Sequence, residues 1–258
     1  MCRHLAYLGP PTSLAALVLD PEHSLYEQSW APNDMRGGGT VNADGFGLGW
    51  YAASAAIGSA VEAAPAPRRY RRNVPIWSDD NLRDLAEGIT STAVIGAVRN
   101  GTEAMPYGEA TVAPFRDGRW LFSHNGKIPG WPESTVKLAE QLPVADLLTM
   151  GAPVDSALLW ALISHRLRAG VAAAEAVASV VQEVESAAPS SRLNVLLTDG
   201  EQLVATAWTH SLHLRRTADS TTVASEPFGT GHWDELPDRS LLLATATTVS
   251  ITPMEGPQ

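Results

Sequence analysis

The stretch MCRHLAYLG (residues 1–9) holds the only cysteine of 258 residues, directly behind the initiator methionine. The run after it is short and mostly apolar, which reads as a buried strand brought to a stop by Gly9, Pro10 and Pro11. A thiol at position 2 becomes the first residue once Met1 is trimmed, and a small second residue permits that trimming. Cys2 then carries a sulfur nucleophile and a free α-amine. Such an amine titrates near about 7.7–8.0, so it can serve as a base at neutral pH, unlike a lysine near about 10.4. Only the thiolate attacks well, and an adjacent amine can take the thiol proton without a histidine. The competing reading is that a lone cysteine in a strand serves as a small hydrophobe.

From this strand outward, residues 12–20 read as a short helix capped by Thr12 or Ser13. A glycine-dense loop runs into a strand near residues 46–52, and residues 55–69 read as small-residue filler on the surface. Residues 81–89 are helical in pattern and residues 92–100 form a β-branched strand. Residues 118–126 make another strand that ends in a turn at Asn125-Gly126. A helix over 155–170 starts at Asp155 and has Gly170 past its end. The next helical stretch, 171–188, sets Val177, Val180, Val181 and Val184 on one face. The remainder is strand-rich, with a hairpin turn at Asp199-Gly200. The pattern predicts an α+β fold with mostly antiparallel pairing, and the length allows one large domain or two small ones.

Composition narrows the function. Apolar residues make up 45% and charged residues 18%, which fits a globular chain. A net charge of −10, from 28 acids against 18 bases, disfavours nonspecific binding to nucleic acid or anionic membrane. The basic run RRYRR (68–72) reads as a solvated loop. One cysteine allows no intrachain disulfide, and no stretch has the length of an apolar span, so a cytoplasmic protein is expected. His210 and His213 are too sparse for a metal site, and no cofactor is expected.

Three further features carry chemistry. An asparagine amide beside a glycine N–H can aim two donors at one oxygen, as an oxyanion hole does, although Asn-Gly is also a common turn pair. Arg99 ends an apolar strand, where a guanidinium suits bidentate capture of a carboxylate or simply faces water. Asp155 at a helix start can cap the helix, hold an ammonium, or do both.

Taken in order, Cys2, Arg99 with Thr102, Ala113–Phe115, His124-Asn125-Gly126 and Asp155-Ser156 resemble the motif series of the class II glutamine amidotransferases. These are a branch of the N-terminal-nucleophile hydrolases. The resemblance implies a four-layer αββα sandwich with two antiparallel sheets, as a single domain over residues 1–258. It implies Cys2 as nucleophile, Asn125 and Gly126 as oxyanion hole, and Arg99 and Asp155 as ligands of the glutamyl α-carboxylate and α-ammonium. Thr102 and His124 would complete the substrate side. The chain has Ala97, Gly101 and Ala157 where many members have His, Ala and Glu. Residues 1–9, 40–51, 75–86, 120–131, 192–200 and 223–228 further resemble the bacterial hydrolases of ergothioneine biosynthesis that remove glutamate from γ-glutamyl-hercynylcysteine S-oxide. That resemblance implies a small-molecule γ-glutamyl substrate and no obligatory protein partner, since the residues after the motifs are needed to finish the sheets. The alternatives are a glutaminase-type subunit feeding ammonia to a separate synthase, and a non-catalytic γ-glutamyl-binding protein. Trp30, Trp77 and Trp131 lie in loop-like stretches and are candidates for an aromatic site at the trimethylammonium end, the alternative for each being core or surface packing.

Overall fold

The computed structural model describes residues 2–35, 41–52, 66–101 and 105–254. The strands are β1 (Arg3–Ser13), β2 (Phe46–Tyr51), β3 (Pro67–Arg72), β4 (Thr90–Val98), β5 (Phe115–Asp117), β6 (Trp120–Lys127), β7 (Arg192–Thr198), β8 (Leu203–Ala207), β9 (His213–Arg216), β10 (Thr221–Ala224), β11 (Asp234–Glu235), β12 (Ser240–Ala244) and β13 (Val249–Pro253). The helices are α1 (Leu14–Val18), α2 (Leu25–Gln28), α3 (Leu82–Gly88), α4 (Val136–Ala139), α5 (Val144–Leu148), α6 (Asp155–Arg168) and α7 (Ala173–Ala187).

Among the described residues the strands form two antiparallel sheets, ordered β11-β9-β10-β1-β4-β2-β3 and β13-β12-β8-β7-β6-β5. Period-two alternation builds the layers. Leu5, Tyr7, Val94 and Val98 of the first sheet pack with Leu14, Leu17, Leu25 and Leu82 of α1, α2 and α3. Ala6, Leu8, Ala93 and Ile95 turn the other way and meet Leu121, Leu196, Ala205 and Leu242 of the second sheet. The outer face of that sheet, with Phe122, Val195, Leu197 and Val204, buries α6 and α7 through Leu159, Ile163, Val177 and Val181. Helices, sheet, sheet and helices therefore stack as the expected four layers, with three apolar seams between them.

The main elements stand where the pattern puts them, and Ser13 caps α1 by accepting from Ala16 N at 3.1 Å. Four details differ. Gly9-Pro10-Pro11 does not end β1: the register shifts between Leu8 and Thr12, and pairing resumes at Thr12↔Ser91. The prolines lack N–H groups, and a bulge carries them without ending the strand. Arg68–Arg72 is no loop but most of edge strand β3, paired with β2. Asn125-Gly126 makes no turn: both lie inside β6, opposite Asn194 and Leu193 of β7. The local turn preference yields to a partner strand that returns only after α6 and α7. Finally, Val154 holds the N-cap position of α6 with no side-chain cap, and Asp155 is its first helical residue. The filler at 55–65 falls outside the described residues.

Candidate active site

The register of β1 against β4 brings the first pieces together. Arg3 pairs with Val98, so Cys2 and Arg99 lie side by side, one residue beyond, at the same end of the sheet. The Cys2 thiol is half-buried and donates to Asn100 O at 3.7 Å. Arg99 is tied down through its backbone, donating to Gly45 O at 2.7 Å and accepting from Asp44 N at 3.0 Å. Asp44 also accepts from Gly101 N at 2.7 Å, which shapes the chain after the strand. The guanidinium gives Nη2 to Pro106 O at 3.2 Å and lies over the Tyr107 ring at 5.9 Å. Its Nη1 is buried with no hydrogen-bond partner among the described residues. A Cβ at Gly101 would sit 3.2 Å from both terminal guanidinium nitrogens, so glycine leaves Arg99 room.

The second sheet supplies the other half. Along β6, Leu121, Ser123 and Asn125 face the first sheet, and Phe122, His124 and Gly126 face the helices. Ser123 Oγ lies 3.1 Å from His4 Nδ1, pinning β6 to β1. Two residues on, Asn125 donates Nδ2 to Ser225 Oγ at 3.2 Å, while its buried Oδ1 has no partner among the described residues. Gly126 opposes Leu193, whose N–H turns to Trp208 O, just past the end of β8, at 3.2 Å. In an antiparallel ladder the Gly126 N–H then points away from β7, toward the side where β5 has already ended.

His124 has no ring nitrogen left for a ligand. Nε2 lies 2.8 Å from Arg192 O and therefore carries the proton, and Nδ1 accepts from Ser156 Oγ at 2.8 Å. It braces the start of α6, where Asp155 is buried. Asp155 accepts from Ile128 N at 3.2 Å and from Ser156 N at 2.7 Å. No basic side chain reaches it among the described residues. Thr102 lies outside them.

A buried network missed in the sequence stands behind this site. Glu226 accepts from Arg3 Nε at 2.5 Å, His23 Nε2 at 2.7 Å, Asn33 N at 2.8 Å and Asp34 N at 3.2 Å. Arg3 in turn donates to Cys2 O at 3.0 Å and to Asp34 O. SEP (225–227) carries Glu226, as ADG (43–45) carries the Asp44 that shapes the chain after Arg99; each is a visible motif with no local clue to its partner.

Two imidazoles near the site are held neutral. Burial pushes His4 down to about 3, helped by the nearby Arg3 charge. Burial, with Arg192 and Arg3, pushes His210 down to about 4. Both take up a proton more readily unfolded, near 6.5, than folded. Stability is therefore complete above that value and falls as pH drops toward 4, by at most about 1.4 kcal/mol per pH unit for each imidazole. Denaturant melts at pH 7, 5.5 and 4.5 will show this loss, and His4→Gln will flatten it; equal slopes in the two proteins would refute the assignment.

Of the three tryptophans, Trp30 and Trp77 come together edge to face at 5.7 Å, both exposed, with Tyr26 against Trp30 at 4.8 Å. Trp131 packs against the core beside α6 and α7. The cleft of about 390 Å³ lined by Arg69, Arg71, Arg116 and Trp160 contains none of the predicted site residues. Among the described residues no group of three or more His, Cys, Asp or Glu is placed to hold a metal, and no helix is long and apolar enough to cross a membrane.

The family model described as glutamine amidotransferases class-II matches residues 14–226. The chain belongs to the class-II glutamine amidotransferases. Within the family it is 36% identical over 255 residues to the gamma-glutamyl-hercynylcysteine sulfoxide hydrolase of Mycolicibacterium smegmatis, covering 98% of this chain and all of that one. The amidotransferase fold also matches a solved glutamine aminotransferase class-II domain protein from Silicibacter pomeroyi, with TM-score 0.65 and 24% identity, over 98% of this chain and 100% of the other. It matches glutamine phosphoribosylpyrophosphate amidotransferase from B. subtilis with TM-score 0.66 at 14% identity, over 98% of this chain and 49% of that one.

Proposed function

We propose that this class-II amidotransferase is a stand-alone, single-domain hydrolase of the γ-glutamyl amide of γ-glutamyl-hercynylcysteine sulfoxide. The observation that carries this reading is the end-to-end similarity to a sulfoxide hydrolase at 36% identity. The site adds chemistry that suits a glutamyl group. Arg99 keeps a buried guanidinium nitrogen, unbonded among the described residues, for the α-carboxylate, and Asp155 offers the α-ammonium a buried carboxylate that no basic side chain reaches among those residues.

With Met1 removed, the Cys2 α-amine takes the thiol proton and the sulfur attacks the γ-carbonyl carbon. The C–S bond forms as the carbonyl π electrons move to oxygen. That oxyanion meets the second Nδ2 hydrogen of Asn125 and the Gly126 N–H. The ammonium of Cys2 returns its proton to the departing nitrogen, the C–N bond breaks, and hercynylcysteine sulfoxide leaves. Water, deprotonated by the same amine, then cleaves the thioester and releases glutamate. The exposed Trp30–Trp77 pair is the proposed contact for the trimethylammonium end.

The test compares substrates. The kcat/KM for the γ-glutamyl sulfoxide will exceed that for glutamine by at least about 100-fold, the scale on which a missing set of leaving-group contacts is felt. Faster turnover of glutamine, stimulated by a synthase partner, would replace this reading with an ammonia-supplying subunit.

A further inference from the structure

Ser225 and Glu226 follow β10 directly, and their side chains reach different halves of the site. The β1–β10 ladder runs to Leu5↔Ala224 and then changes character. Ser225 N still donates to His4 O at 2.9 Å, but His4 N is answered by the Ser225 hydroxyl at 3.0 Å instead of the Ser225 carbonyl. That carbonyl turns away to Ser211 Oγ at 3.4 Å and His213 Nδ1 at 3.2 Å. The departure from the ladder lets the next residue, Glu226, turn inward to Arg3.

The serine hydroxyl that replaces the ladder carbonyl also accepts one Asn125 amide hydrogen at 3.2 Å. An amide nitrogen has two hydrogens in one plane, so fixing one fixes the aim of the other. Glu226 acts on the opposite partner. It binds Arg3 Nε, and Arg3 Nη1 holds the carbonyl of Cys2 at 3.0 Å. The side chains of Arg3 and Glu226 are 2% and 3% exposed. Burial alone would raise the Glu226 carboxyl; hydrogen bonds from His23, Asn33 and Arg3, with the Arg3 charge, outweigh it and hold the group below its usual value. A buried ion pair of this kind stabilises a fold little better than apolar residues of equal volume. Its specific product here is the orientation of Cys2.

We infer that Ser225-Glu226 is a positioning device that sets the nucleophile against the oxyanion donor, with Glu226 fixing Cys2 through Arg3 and Ser225 fixing Asn125. Neither residue touches substrate. The inference rests on the roles proposed above for Cys2 and Asn125, and its consequence is geometric. Misplacing a reacting group by about 1 Å costs up to about 100-fold in rate, with ground-state binding left to Arg99 and Asp155.

The experiment uses the processed full chain and the γ-glutamyl sulfoxide. Ser225→Ala lowers kcat by about 10-fold with KM within about twofold, and lowers it no further in an Asn125→Ala background. Glu226→Gln lowers kcat by about 10- to 100-fold and slows alkylation of Cys2 by chloroacetamide in proportion. Should Glu226→Gln fail to fold, Ser225→Ala and the double variant still decide the matter. Full kcat in folded Ser225→Ala, or an effect additive with Asn125→Ala, overturns the inference. Were Cys2→Ala and Asn125→Ala themselves to retain activity, the catalytic assignment would fall and this inference with it. Inactivity of those two beside a neutral Ser225→Ala sinks the positioning role alone.

Discussion

Cys2→Ala lowers kcat for γ-glutamyl hydrolysis by at least about 10⁴-fold. Without sulfur there is no thioester, and water must attack the amide directly. Binding survives, because the groups proposed to hold the glutamyl end, Arg99 and Asp155, sit on β4's exit and α6 and are braced by Gly45, Ile128 and Ser156 rather than by the thiol. Calorimetry with the γ-glutamyl sulfoxide will therefore give a Kd close to the parent's KM in a protein that no longer turns over. The α-amine makes the same demand from the other side. Material whose intact mass still includes Met1 carries an amide at Cys2 and has no base, so its activity will track the trimmed fraction. Turnover by Cys2→Ala, or full activity with Met1 in place, would remove the covalent mechanism.

Asn125 and Gly126 supply neighbouring donors, yet their substitutions separate cleanly. Asn125→Ala deletes a side-chain donor from a strand whose backbone pairing with Asn194 persists. Losing one oxyanion donor costs about 2.7–4 kcal/mol in the transition state, a 10²- to 10³-fold fall in kcat with little change in melting temperature. Gly126→Ala keeps the N–H but has no room for the methyl group. Its Cβ would stand 1.7 Å from Arg192 O and 2.5 Å from His124 Nε2. One contact is backbone of the paired strand and the other is the ring that braces α6, so β6 and β7 must part. Forced overpacking costs about 1–3 kcal/mol, occasionally more, and here it also moves the N–H itself. The melting temperature and kcat of Gly126→Ala will fall together. Normal stability in Gly126→Ala, or normal kcat in Asn125→Ala, would show that this corner of β6 does not face the reacting oxygen.

The candidate residues were legible to different degrees. Cys2, Arg99, Asn125, Gly126 and Asp155 are visible because each ends an element or breaks its pattern with a group an apolar run does not need. His124 reads as a member of the same motif, but its ring is spent on Ser156 and Arg192 inside the protein. Asp44, Ser225 and Glu226 stand in recognisable stretches without a readable task. Arg3 looks like the second residue of a strand, and nothing near it announces a buried carboxylate 223 positions away.

Alternation of apolar residues, helix caps and glycine or proline punctuation act over a few neighbours, so the chain alone specified two groups of strands around two long helices and the reactive ends. Pairing is settled by distant partners. Whether Asn125-Gly126 turns or runs straight depends on β7, which arrives two helices later. Which acid secures Arg3 depends on β10 docking beside β1. Burial energy and hydrogen-bond satisfaction are summed over the assembled sheets, and a local turn preference or a free surface charge yields to that larger sum.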